Sequence, residues 1–188
     1  SDQPWTGYDY DTFSDDLADV MTETGATEDV ALVGFSMGGG EVARYMSRHA
    51  GRGVTRAVLV GSIVPYMLKT EDNPEGVDQS VFDQMTAGMD KDRPHFFANF
   101  FKDFFGVGMV SSPVHEETLD WAWRLAMQSG KQPTMAAAKA FASTDFRADL
   151  PSFAVPTLVI HGTADKTVPI DASGRKAAKG IARSQLVE

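Results

Sequence analysis

Gly34-Phe35-Ser36-Met37-Gly38 has the G-x-S-x-G pattern of an activated serine. A hydroxyl attacks a carbonyl only when a base takes its proton and nearby donors stabilise the resulting oxyanion. The pattern also arises by chance, so its flanks decide. Val30 to Phe35 is a short continuous apolar run, as expected of a strand buried on both faces, and the residues after Ser36 read as a helix. A sharp strand-to-helix turn presses its flanking positions against neighbouring backbone, which predicts that Gly34 and Gly38 are both glycine for want of room for a Cβ. Gly39 and Gly40 extend the close approach. The turn places Ser36 at a helix N-terminus, whose free N–H groups and dipole favour negative charge. The Met37 N–H is then one oxyanion donor. The plain alternative is a glycine-rich turn carrying an incidental serine.

A nucleophilic serine needs a base, and the base needs an acid to fix its tautomer and stabilise its charged form. Asp165 follows the apolar run Val155 to Ile160, in the loop where open α/β sheets place their site residues. Its alternative role is to favour a turn before Val168-Pro169. Asp145 is the rival acid and reads as a helix-end or structural residue. No histidine present fits as the base. At ~1.5 Å rise per residue His49 lies about 20 Å along the helix from Ser36. His95 and His115 fall near helix starts in the central stretch, and His161 ends the strand before Asp165.

The elements that must position these residues alternate. Phe13, Leu17, Val20 and Met21 form a helical face over 11–24, closed by Gly25. Val42, Tyr45, Met46 and His49 share one side of the helix after Ser36, and Val54 to Ile63 supplies another buried strand. Strand, helix and strand in turn imply a parallel sheet with right-handed crossovers. From Pro65 to Leu150 the chain turns helical and rich in Phe, Met and Trp, with Phe96, Phe97, Phe100, Phe101, Phe104 and Phe105 as one stripe. Leu119, Ala122, Trp123, Ala126 and Met127 make a second. After Pro151 the alternation resumes, with a helix over Ala172 to Ile181. Residues 1–64 and 151–188 thus form an α/β core, and 65–150 a helical cap inserted between two strands. Phe100 and Phe101 are expected to roof an apolar pocket, with Met37, Ile63 and Val64 below.

At 188 residues, with 43% hydrophobic and 23% charged residues, the chain suits one globular domain. A net charge of -9 argues against nucleic-acid or anionic-membrane partners. No apolar run approaches the ~20 residues that span a bilayer. The absence of cysteine suits a bacterial-type cytoplasm and excludes thiolate metal sites.

Gly34-Phe-Ser-Met-Gly-Gly-Gly-Glu-Val-Ala-Arg-Tyr45 and His161-Gly-Thr-Ala-Asp165 with Val168-Pro169 resemble the nucleophile and acid segments of the cofactor-free (non-haem) haloperoxidases and related arylesterases. Smaller echoes stand at Gln3-Pro4-Trp5, Met67-Leu-Lys-Thr70 and Ala140 to Phe146, so the similarity spans nearly the whole chain. The resemblance implies an α/β-hydrolase fold: a parallel sheet flanked by helices, with a helical cap. It implies a Ser-Asp-His triad that cleaves small aryl or acyl esters without haem, metal or other cofactor. Perhydrolysis, in which peroxide intercepts the acyl-enzyme and the peracid oxidises halide, is the implied side activity. The counterpart of His161 is structural. A His-Gly-Trp-type loop giving a second oxyanion N–H is expected before Ser36, and none is present. The triad histidine would follow Asp165 by roughly thirty residues, just past Glu188. The chain is therefore expected to be an internal piece lacking the first strands, the last strand and helix, and any signal peptide, and to be inactive alone. Apolar sheet faces laid bare by lost strands would make it aggregate or need a partner, a homo-oligomer among the options. Two other readings stay open: a non-catalytic α/β-hydrolase-like binding protein, and a lyase or C–C hydrolase on the same triad.

Overall fold

The computed structural model describes residues 2–108 and 110–188. Along the chain run α1 (Tyr10–Glu23), β1 (Val30–Phe35), α2 (Met37–Arg48), β2 (Val54–Val60), α3 (Gln79–Phe104), α4 (Glu116–Met127), α5 (Lys131–Ser143), β3 (Thr157–Ile160), α6 (Gly174–Gly180) and β4 (Ser184–Val187). The chain divides into two compact units: Gly7–Val77 with Ala140–Glu188, and Ser1–Thr6 with Asp78–Lys139. Of the helical stretch expected over 65–150, residues 78–139 fall in the second unit and the flanks in the first.

The first unit is built on a four-stranded sheet, ordered β1-β2-β3-β4 and parallel throughout. One face carries Leu32, Ala57, Leu59 and Val159, all buried, and α2 adds Val42, Ala43, Tyr45 and Met46 to the same core. Within residues 1–188 the other face of the sheet is partly open. Phe35, Val60, Ile160 and Val187 stand in register in one row, and Phe35 is 57% exposed, Ile160 38% and Val187 44%.

α1 starts at Asp9, whose carboxylate accepts the Thr12 N–H at 2.9 Å. It ends in a Schellman turn at Gly25 (φ 72), with Ala26 N bonded to Met21 O at 2.8 Å and Gly25 N to Thr22 O at 3.1 Å. Its packed face is Tyr10, Ser14, Ala18 and Met21, one step round from the expected one. Phe13, Leu17 and Val20 instead line a shallow groove with Asp16 and Glu41. Small Ser14 and Ala18 let α1 approach α2 closely, which Phe13 and Leu17 would not. The Tyr10 ring then meets Phe146 edge-on at 4.7 Å, and the Arg44 guanidinium lies 5.7 Å from the Phe146 centroid. A Cβ on Gly40 would stand 2.6 Å from both rings.

In the second unit α3 is broken at Asp92 (φ -156, ψ 85). Asp92 caps the helix that resumes, accepting the His95 N–H at 3.0 Å, and Pro94 sits in the new first turn, where its missing N–H costs nothing. The six phenylalanines follow the break, each ring against its neighbours at centroid distances such as 5.3 Å for Phe96–Phe97 and 5.1 Å for Phe104–Phe105. Trp123 donates to Pro94 O at 2.8 Å. Gln3 joins this unit, accepting the Gly130 N–H at 2.6 Å and donating to Gln128 O at 3.2 Å. Among the described residues no helix is long and apolar enough to cross a membrane.

The turn from β1 into α2 departs from the expected symmetry. A Cβ on Gly34 would lie 2.5 Å from Gly38 O and 2.6 Å from Gly39 Cα, both backbone atoms that cannot yield. A Cβ on Gly38 would meet nothing within 4 Å among the described residues. Gly34→Ala should therefore lower the stability of the full-length protein by ~2 kcal/mol or more, whereas Gly38→Ala should be neutral or stabilise by up to ~1 kcal/mol through helix propensity. Urea midpoints of the two variants measure the difference, and equal losses would contradict the geometry.

Candidate functional site

Three strand ends meet in one hydrogen-bonded row. Ser36 N donates to Val60 O at 3.0 Å, Gly61 N to Ile160 O at 2.9 Å, and His161 N to Val187 O at 3.0 Å. The first residues beyond β1, β2 and β3 are thereby held side by side at the carboxyl edge of the sheet, where open parallel sheets present ligands.

Ser36 stands at φ 52, ψ -116, a conformation that costs an L-residue of order 1–3 kcal/mol. Both its backbone groups are engaged, since its carbonyl also accepts Gly39 N at 3.1 Å and Ile63 N at 3.4 Å. These bonds hold the strained residue in place. α2 begins at Met37, and the first N–H groups of a helix lack partners within it. A Cβ on Gly39 would fall 1.9 Å from Ser62 Oγ, so the first turn of α2 lies directly on the segment after β2. Ile63 and Val64, expected to line a pocket, are 1% and 0% exposed. They are packed interior and present no wall to open space. Phe100 and Phe101 are half-buried within the phenylalanine array of the second unit.

Asp165 lies in the loop after β3, with its side chain 27% exposed. Its Oδ1 accepts the N–H groups of Thr167 at 2.9 Å and Val168 at 2.8 Å, a turn that fixes the carboxylate plane. Oδ2 meets no donor within hydrogen-bond distance among the described residues; His161 Nε2 stands 3.7 Å away. A Cβ on Gly61 (φ 49) would lie 3.6 Å from this oxygen and 3.8 Å from the Phe35 ring, so the carboxylate sits over the end of β2, beside the residue before Ser36. Gly61 is the site residue that sequence reasoning missed. Its position directly after a buried strand, as Ser36 follows β1, was the available signal.

Of the remaining titratable candidates, all but His115 have side-chain partners elsewhere. Arg147 donates to Asp145 Oδ2 at 2.6 Å and to Asp72 Oδ2 at 2.9 Å. Partial burial pushes the Asp145 carboxyl up, but the Arg147 hydrogen bonds outweigh it and hold it below its ordinary range. His49 Nε2 pairs with Asp15 Oδ1 at 2.8 Å, and Arg48 grips the same carboxylate, bringing it down to about 2, chiefly through its hydrogen bonds. His95 bonds Asn99 at 3.0 Å, His115 stands at the N-cap of α4, and buried His161 bonds Val168 O at 2.8 Å. Among the described residues no three His, Asp or Glu cluster as metal ligands.

The family model described as the alpha/beta hydrolase fold matches residues 1–188. The chain is 42% identical over 182 residues to the non-heme chloroperoxidase CPO-A1 of Kitasatospora aureofaciens, covering 97% of this chain and 66% of that protein. It is 36% identical over 189 residues to the bifunctional esterase/perhydrolase DCH of Acinetobacter calcoaceticus, covering 100% of this chain and 68% of that protein. Among solved structures it resembles the bromoperoxidase from Bacillus anthracis, with a TM-score of 0.95 and 40% identity over 100% of this chain and 68% of the other. The chain thus spans about two thirds of the length of these relatives. With a strained serine between strand and helix, an aspartate over the neighbouring strand ends and a family match along its whole length, the chain belongs to the alpha/beta hydrolase fold family.

Proposed function

We propose that the chain carries the nucleophile and the acid of a serine hydrolase acting on small carboxylic esters, aryl esters among them, through an acyl-enzyme. The observation that carries this reading is Ser36, held at φ 52 on the N-terminus of α2, in the same edge row that leads to Asp165. A strained non-glycine residue persists where its surroundings over-determine it, and such residues cluster at active sites. The names of the Acinetobacter and Kitasatospora relatives, an esterase/perhydrolase and a non-heme chloroperoxidase, support ester cleavage with perhydrolysis as the reaction class.

Ser36 Oγ attacks the ester carbonyl carbon while a histidine base takes its proton; the alcohol leaves with that proton, and an acyl group remains on Oγ. The Met37 N–H at the start of α2 faces the developing oxyanion. Water then attacks to release the acid, or hydrogen peroxide attacks to release the peracid. The base is assigned to a histidine outside residues 1–188: His49 pairs with Asp15, His95 with Asn99 and buried His161 with Val168 O, and His115 stands at the start of α4, in the second unit. Asp165 suits the third role: Oδ1 is tied down by two N–H groups, which leaves Oδ2 to accept the imidazole N–H.

A fluorophosphonate probe applied to the full-length protein should label Ser36 and no other serine; modification at Ser62 or Ser111 would overturn Ser36 as the nucleophile, and none at all in folded protein would favour the non-catalytic reading. Asp165→Asn should lower kcat by ~10⁴ with the fold retained, and Asp145→Asn by far less. Steady-state rates on an aryl acetate compare the two, and a larger loss from Asp145→Asn would exchange their roles. Short acyl aryl esters should turn over at least ~10-fold faster than long-chain ones, the scale on which an apolar pocket discriminates chain length. Comparable rates on emulsified triglyceride would contradict the small-ester reading.

A further inference from the structure

We propose that His161 is a positioning residue for Asp165, holding the acid loop to the sheet through a single hydrogen bond; the proposal rests on Asp165 being the triad acid. The imidazole is fully buried, and its Nε2 stands 2.8 Å from Val168 O. A carbonyl only accepts, so the ring carries its proton on Nε2. Val168 works at both ends. Its N–H donates to Asp165 Oδ1 at 2.8 Å while its C=O accepts from His161. The backbone of His161 is meanwhile fixed in the edge row through Val187 O at 3.0 Å. The ring is therefore a strut from a rigid strand end to the peptide that orients the carboxylate.

The other ring nitrogen shows that packing alone does not explain the residue. Nδ1 is buried with no hydrogen-bond partner among the described residues, and it abuts Gly174, where a Cβ would lie 2.7 Å away. A buried polar atom without a partner is unfavourable, and an apolar side chain would avoid that cost. What an apolar side chain cannot supply is the donor to Val168 O, itself part of a buried residue. The 3.7 Å between Nε2 and Asp165 Oδ2 is too long for a hydrogen bond, so the strut fixes the loop without occupying the oxygen that a triad histidine would use.

The test is a cycle of variants in the full-length protein, followed by steady-state hydrolysis of an aryl acetate. His161→Met keeps the volume and removes the donor. It should lower kcat by ~10–100-fold with KM within about twofold, as loss of a supporting partner does elsewhere. His161→Gln, which can present an amide N–H near the place of Nε2, should recover most of the loss. In an Asp165→Asn background His161→Met should change kcat by less than about twofold, because residues that act through one another are non-additive. The proposal is overturned if folded His161→Met keeps kcat within about twofold, or if its loss is the same in both backgrounds. If His161→Met does not fold, Gly174→Ala displaces the same ring and is read against the same two outcomes. An Asp165→Asn protein with undiminished kcat would instead remove the acid assignment itself, a result seen before any His161 variant is made.

Discussion

The site depends on how closely α2 can lie on the sheet. At Gly34 and Gly39 the approach is backbone to backbone or backbone to the Ser62 hydroxyl, with no space for a single extra carbon. That contact fixes where the first turn of α2 stands, and so where its unpaired N–H groups and the strained Ser36 stand relative to the strand ends. It also sets the next layer. Gly40 admits the Tyr10 and Phe146 rings, which bring α1 and the chain after α5 onto the outer side of α2. Interiors are packed too densely to absorb an added methyl group by small shifts, so the glycines act as a spacing rule for the whole first unit.

The Asp165 side is secured by different means. Asp165 is not held by steric exclusion but by a chain of hydrogen bonds, from the Val187 carbonyl through His161 and Val168 to Oδ1. Each bond contributes a modest net free energy, yet each also satisfies a group in a buried setting, where leaving it unmade is costly. Ser36 and Asp165 are thus placed by two different mechanisms that meet at the sheet edge.

Much of this was legible in the residues. The apolar run, the serine and the glycines after it specify a strand, a turn and a helix, because a buried parallel strand and a close helix leave few alternatives. Asp165 was legible for the same topological reason. Other features were not. Equal steric reasons were assigned to Gly34 and Gly38, although only Gly34 faces backbone. A pattern marks both positions without saying which way each Cβ vector points. The face of α1 was read from its large apolar residues, while the actual contact uses Ser14 and Ala18, since close helix packing favours small side chains. Ile63 and Val64 were expected at a pocket because they follow a site strand, yet they are interior. The break in α3 is marked in the sequence by Asp92 and Pro94, a cap residue and a first-turn proline that stand just before the phenylalanine stripe.

β2 and β3 are neighbours in the sheet, yet the whole of α3, α4 and α5 lies between them in the chain. The entropy of closing a flexible loop grows only with the logarithm of its length, ~0.6 kcal/mol for each doubling. Compared with the short crossover from β1 to β2, the long excursion is a little over two doublings, or about 1.5 kcal/mol by that rule. Its own helices lower even this by shortening the effective span. The sheet edge that holds Ser36, Gly61 and His161 can therefore tolerate almost any insertion at this junction, including a shorter, longer or wholly different one. Variation in what such a scaffold accepts can accumulate there while the strand register beneath stays unchanged.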